Sequence, residues 1–147
     1  MPSTPLYRLV YSSIYRAGRV DNELSALRAI LSQSRKNNQT SDVTGYLMFD
    51  GDSFVQVLEG PRENVEATMA RIARDERHRD VAVIAIEPTE SRAFEGWKMG
   101  GYRRSAEQDP IFAAHGFPGK IDRSQLSFDT AVSLARALCA DQATQAS

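Results

Sequence analysis

A single cysteine, Cys139, excludes an internal disulfide framework and fits a reducing compartment. Histidine is nearly as scarce. His78 and His115 stand far from each other and from Cys139, which argues against a His/Cys metal site. Charge of either sign is not in excess. The net charge of −1 gives no electrostatic case for nucleic acid or a membrane surface. No apolar run approaches transmembrane length, and the opening M-P-S-T-P lacks the long apolar core of a signal peptide. The expectation is a soluble, cytoplasmic protein. Internal repeats, linkers and low-complexity runs are missing. So are G-x-S-x-G, H-E-x-x-H, the P-loop and G-x-G-x-x-G, which removes the familiar hydrolase, metalloprotease and nucleotide signatures.

What is present describes one ordinary folding unit. The 147 residues are 41% hydrophobic and 25% charged, enough for a core and too apolar for disorder. The organising stretch is Thr44 to Gly60, T-G-Y-L-M-F-D-G-D-S-F-V-Q-V-L-E-G. Asp50-Gly51 between two apolar runs signals a β-hairpin. On the return strand Phe54, Gln56 and Leu58 share one face, and Ser53, Val55, Val57 and Glu59 the other. Gln56 therefore stands among large apolar neighbours, and its donors and acceptors must be satisfied there. It is either a buried glutamine bonded to backbone or a group that faces a polar ligand. Glu59 reads as a surface residue.

Before the hairpin, Leu6 to Ser13 reads as a strand with Tyr7, Leu9 and Tyr11 on one face. Leu24, Leu27, Ile30 and Leu31 mark an amphipathic helix that Asp21 or Asn22 caps and that ends near Lys36. After the hairpin, Pro61 opens a second helix with Val65, Thr68, Met69 and Ile72 inward. Arg74 to Asp80 reads as a solvated charge cluster. Val81 to Ile86 is a β-branched strand that Pro88 ends, and Phe94 to Tyr102 is a last, Gly-rich strand. Asp109-Pro110 starts a short helix that Gly116 stops. Phe128, Ala131, Val132, Ala135, Leu138 and Cys139 form the stripe of a final helix. Leu126 and Leu134 fall off that stripe and are available to a partner. The order β-α-β-β-α-β implies an α+β, ferredoxin-like sandwich with an additional strand and C-terminal helices. Residues 1–104 would form the core domain, and 105–147 a helical extension packed on the open face of the sheet.

A few residues stand out as carriers of chemistry. Tyr11 is an inward-facing phenol; Asn37-Asn38 is a carboxamide pair at a helix end; Arg71 precedes the inward Ile72; Trp97 and Met99 share a face of the last strand. Each has an ordinary structural explanation: core aromatic, C-cap, solvated arginine, core.

Taken in order, these pieces resemble the BLUF family of flavin-binding blue-light photoreceptor domains. The matching residues are L-Y-R-L-V-Y-S-S with Tyr11, N-N followed by V-T-G from Asn37 to Gly45, F-V-Q-V-L-E-G with Gln56, R-I-A-R-D-E-R-H from Arg71 to His78, and F-E-G-W-K-M from Phe94 to Met99. The resemblance covers about Leu6 to Tyr102 and implies a short member without a fused effector. It implies non-covalent binding of FAD, with FMN or riboflavin as alternatives. Ile30 and Ile72 would sandwich the ring, Asn38 would bond its carbonyl edge, and Arg71 would sit near the ribityl or phosphate end with Asn37 close by. Tyr11 and Gln56 would form the photoactive pair, with Trp97 or Met99 beside the glutamine. Light would draw an electron and a proton from Tyr11, with Gln56 relaying the proton, and the return would leave Gln56 rotated, tautomerised or both. Such a chain is a sensor and not an enzyme. It signals to a protein partner or through a homo-oligomer. The other classes to weigh are a flavin-dependent redox enzyme and a cofactor-free ferredoxin-like assembly module.

Overall fold

The structure, a computed structural model, describes residues 5–15, 42–75, 78–94, 100–103 and 109–146. Strands β1 (Leu6–Tyr15), β2 (Thr44–Phe49) and β3 (Ser53–Pro61) lead into helix α1 (Arg62–Ala73). Then follow β4 (His78–Thr89), β5 (Gly100–Arg103), helix α2 (Asp109–Ala114), a 3-10 turn (Arg123–Gln125) and helix α3 (Phe128–Ala146). The strands form one sheet in the order β4-β1-β3-β2-β5. The first four pair antiparallel in the ferredoxin-like arrangement, and β5 joins the β2 edge parallel. The helix expected to end near Lys36 lies outside the described residues.

Alternation along the strands sorts the core into two layers. Leu9 and Tyr11 of β1, Leu47 and Phe49 of β2, and Phe54 and Leu58 of β3 pack with Val65 and Met69 of α1. Val10, Tyr46, Met48, Val55 and Val57 point the other way, against Phe94 and the tail. There α3 contributes Ala131, Val132, Leu134, Ala135 and Leu138. Both faces of the central strands are thus covered, and β3 is buried from Ser53 to Gly60. The hairpin turn is held by Asp50, whose Oδ1 accepts from the N–H groups of Asp52 and Ser53 at 2.9 and 2.7 Å. Gly51 supplies the positive φ of 102° that this turn needs. Gly45 is required for a different reason, since a Cβ there would lie 2.1 Å from the Val57 carbonyl oxygen.

Several elements differ from the sequence-based expectation. Glu59 is fully buried, not at the surface. Its carboxylate pairs with Arg8 Nε at 2.7 Å and accepts from the N–H groups of Ala93 and Phe94 at 3.0 and 2.9 Å. These charge-assisted bonds replace the lost hydration. Below Phe94 the same corner is closed by Arg92, which donates to Thr44 Oγ1 and the Glu59 carbonyl, both at 3.0 Å. Phe94 itself precedes β5 and stacks on Tyr46 with centroids 5.7 Å apart. Strand β4 starts earlier and runs through Pro88, which is tolerated because β4 is an edge strand. Pro61 ends β3 and caps α1, whose first helical residue is Arg62. Leu126 and Leu134 are buried in the tail-side core, not exposed off its stripe. Leu134 lies three residues after Ala131 and four before Leu138, so it borders the stripe, and residues such as Phe112, Phe117 and Ile121 fill the space around it.

Removing the Glu59 carboxylate would take the ion-pair partner from the largely buried Arg8 and the acceptor from two N–H groups, that of Phe94 buried and that of Ala93 partly so. Glu59→Ala is therefore expected to lower stability by about 3–5 kcal/mol, measured as a shift of the urea unfolding midpoint at unchanged slope. A shift equivalent to less than about 1 kcal/mol would show that solvent replaces the carboxylate there.

Candidate functional site

Strand pairing places Tyr11 directly opposite Gln56 on β1 and β3. Both side chains point to the α1 face, and each is 1% exposed. The Tyr11 hydroxyl donates a hydrogen bond to Gln56 Oε1. The polar atoms that the sequence placed in an apolar row thus meet across two central strands. Burial pushes the Tyr11 phenol far above its ordinary value, and the negative charge of Asp75 pushes it further. The phenol is therefore neutral and a donor at any physiological pH.

Three neighbours of this pair escaped the sequence reading. His78, assigned to a solvated charge cluster, is buried as the first residue of β4. Its Nδ1 shares a hydrogen bond of 2.8 Å with Ser13 Oγ. Its ring meets Tyr11 edge-on at 6.4 Å and lies 4.8 Å from Phe54. Asp75 sits at the end of α1, where its N–H donates to the Ile72 carbonyl at 3.0 Å and its carbonyl accepts from His78 N–H at 3.1 Å. Ser13 was within reach of sequence reasoning, because it stands two residues after Tyr11 and so shares its face. Burial of His78 was not, because it depends on where the chain re-enters the sheet after α1.

Of the other predicted residues, Ile72 is half-buried and packs against the cluster that contains Tyr11. Arg71 is exposed at the rim of the same helix, and its guanidinium donates to Thr68 Oγ1 at 3.2 Å. Ile30, Asn37, Asn38, Trp97 and Met99 lie outside the described residues. Cys139 is half-buried, and burial pushes its thiol above the ordinary value, so it is not poised as a thiolate. Among the described residues no group of three or more acidic, histidine or cysteine side chains could hold a metal ion.

Comparison with known proteins bears directly on this geometry. The family model BLUF, sensors of blue light using FAD, matches residues 6–100. The blue light- and temperature-regulated antirepressor BluF of Escherichia coli strain K12 is 31% identical over 119 residues, which cover 79% of this chain and 29% of that protein. The photoactivated adenylate cyclase subunit beta of Euglena gracilis is 35% identical over 91 residues, 62% of this chain and 10% of that protein. The chain thus spans less than a third of the length of either relative. Among solved structures, BlsA in its photo-activated state matches with a TM-score of 0.79 at 25% identity, over 90% of this chain and 94% of that one. BlrB, a BLUF protein in its dark state, matches with a TM-score of 0.76 at 27% identity, over 95% and 98%. Coverage of that extent reaches beyond residue 100, so the likeness continues into the tail.

The described residues suit a flavin. A flavin nucleotide needs apolar walls and a polar group at the heteroatom edge of its isoalloxazine, and a cation toward its phosphate. Ile72 and Met69 offer the first, the buried Tyr11–Gln56 pair the second, and Arg71 at the rim the third.

The raised Tyr11 value has a measurable consequence. Below the ordinary tyrosine value of 10.0 the group is protonated in both states and stability does not change with pH through it. Above it the unfolded chain sheds the proton while the folded chain holds it, so stability falls as pH rises. Between pH 10 and 12 the stability of Tyr11→Phe is expected to fall less steeply than that of the wild type, by up to about 1.4 kcal/mol per pH unit. Denaturant unfolding across that range measures it, and equal slopes would mean that the phenol ionises freely in the folded state.

Proposed function

The chain belongs to the BLUF family of flavin-binding blue-light sensors, and from that premise we propose how its own residues carry the response. The observation that carries the proposal is the buried hydrogen bond from the Tyr11 hydroxyl to Gln56 Oε1. Tyr11 and Gln56 are the photoactive pair. Ile30 and Ile72 hold the ring between them, Asn38 bonds its carbonyl edge, and Arg71, with Asn37 near it, holds the ribityl or phosphate end. Trp97 and Met99 follow on the segment that leads to β5, and one of them adjoins Gln56.

When bound, the flavin supplies blue-light absorption and an acceptor for one electron and one proton. Tyr11 is the donor of both. Its burial keeps the proton on the phenol until the electron leaves, and the bond to Gln56 gives the proton a route. Both return to Tyr11, so the cycle has no net oxidation. Gln56 is the group that changes. A carboxamide both donates and accepts, so it can exchange the two roles by rotation or tautomerisation without separating charge. The altered bond at the ring would shift its absorption to the red.

We read residues 1–104 as the photosensor and 105–147 as its helical extension, and the chain itself as a sensor without enzymatic activity. The similarity to an antirepressor supports a protein partner for the output, reached directly or through a homo-oligomer. The single cysteine supports a reducing, cytoplasmic setting. Among the described residues no helix is long and apolar enough to cross a membrane.

Absorption spectra before and after blue light test the reading. The wild type is expected to shift reversibly to the red. Tyr11→Phe and Gln56→Leu are expected to bind flavin and fold while losing that shift, and a normal cycle in either would remove the assigned roles. Asn38→Ala with Arg71→Ala is expected to weaken flavin binding by about 1–3 kcal/mol per lost partner. Wild-type affinity in that double variant would place the flavin elsewhere.

A further inference from the structure

Tyr11 and Gln56 lie on β1 and β3, and one short segment of the tail grips β1 and the turn that opens β3. Arg123, on the 3-10 turn, reaches β1. Its Nε donates to Ser12 Oγ at 3.0 Å, and its Nη2 donates to the Ser12 carbonyl at 3.3 Å and to the Asp80 carbonyl of β4. Two and three residues earlier the chain reaches the turn that opens β3. The Ile121 N–H donates to Asp50 Oδ2 at 2.8 Å, and Lys120 Nζ pairs with Asp52 Oδ2 at 2.9 Å. Asp122 fixes the turn between these grips, since its Oδ1 accepts from Ser124 N–H at 3.0 Å.

Arg123 meets the sheet at its irregular point. The β1–β4 register slips between Val10 and Tyr11 and again between Ser12 and Ile14. Asp80, opposite this break, holds a positive φ of 51°. A break of this kind leaves residues out of the ladder and locally disrupts its pairing. The guanidinium bridges the two strands there through a hydroxyl and two carbonyls, which suits a planar fork and not a point charge. Alternation supplies the link across the sheet. Tyr11 points to the α1 face and Ser12, one residue later, to the tail.

We propose that Arg123 is a positioning residue of the photoresponse: it holds β1 at Tyr11–Ser12 in register and passes a displacement of that strand to the tail. The proposal rests on the reading of Tyr11 and Gln56 as the photoactive pair. The bistable element is the broken β1–β4 ladder. The state of the Tyr11–Gln56 bond biases it from one face, and the Arg123 grip biases it from the other.

The test uses the full flavin-loaded chain as wild type, Ser12→Ala, Arg123→Gln and Arg123→Lys. Three quantities are read: the size of the blue-light absorption shift, the rate of dark recovery, and the light-minus-dark hydrogen exchange of residues 121–146 by mass spectrometry. All variants are expected to keep the shift, because neither Tyr11 nor Gln56 is altered. Recovery is expected to change roughly threefold or more in Ser12→Ala and both Arg123 variants, as loss of hydrogen bonds of ordinary net strength would produce. The light-dependent exchange difference is expected to disappear in the Arg123 variants and to shrink in Ser12→Ala. A merely structural arginine would raise tail exchange equally in dark and light and leave recovery alone. Wild-type recovery rates, or an undiminished exchange difference, overturn the proposal. Ser12→Ala removes only a hydroxyl and decides the matter if the Arg123 variants do not fold. A wild type with no absorption shift overturns the photoactive pair itself, and the coupling with it.

Discussion

Burial of the sheet on both faces sets the terms for every polar group inside it. A side chain on β3 has no water to turn to, so each of its donors and acceptors must be met by protein or ligand. The strand contains two such groups of opposite character. Glu59 is a carboxylate that only accepts, and Arg8 with two backbone N–H groups fixes it in one arrangement. Gln56 is a neutral carboxamide that can both accept and donate, and its partner Tyr11 is neutral too. Reversing a bond between neutral groups needs no burial of charge. One strand thus holds a rigid anchor and a switchable contact three residues apart.

Much of this was legible in the sequence, and the rest was hidden for identifiable reasons. The hairpin, the alternation of β1 and β3 and the stripe of α1 follow from local patterns. The exposure of polar faces did not follow where the partner is remote. Arg8 stands 51 residues from Glu59, and Ser13 stands 65 from His78. No local pattern announces such pairs, and charge alone argues for the surface. The opposition of Tyr11 and Gln56 is of the same kind. Parity puts each on a definite face, but only the order of strands in the sheet makes them neighbours. The likeness of the whole ordered set of motifs to one family supplied what parity could not.

The tail belongs to the core as much as the sheet does. The family match ends at residue 100, yet Val10, Tyr46, Val55 and Val57 rely on residues after 110 for cover. Ile121 helps close that core and also donates to Asp50 at the hairpin turn, while its neighbours Lys120 and Arg123 reach Asp52 and Ser12. Among the described residues the sheet and the tail thus share one continuous core. The tail packs on the sheet and hydrogen-bonds to it at neighbouring points.

That arrangement also dictates how the chain must be made. The sheet is assembled from distant segments, β1 pairing with both β3 and β4, which makes closure slow compared with a local fold. During synthesis every strand leaves the ribosome before α3 does. Until residues 128–146 have emerged, Val10, Tyr46, Met48, Val55 and Val57 lack the part of their cover that α3 supplies. The nascent chain therefore passes through a stage in which strand residues that α3 later covers are incompletely buried, the stage at which chaperones bind and neighbouring chains aggregate.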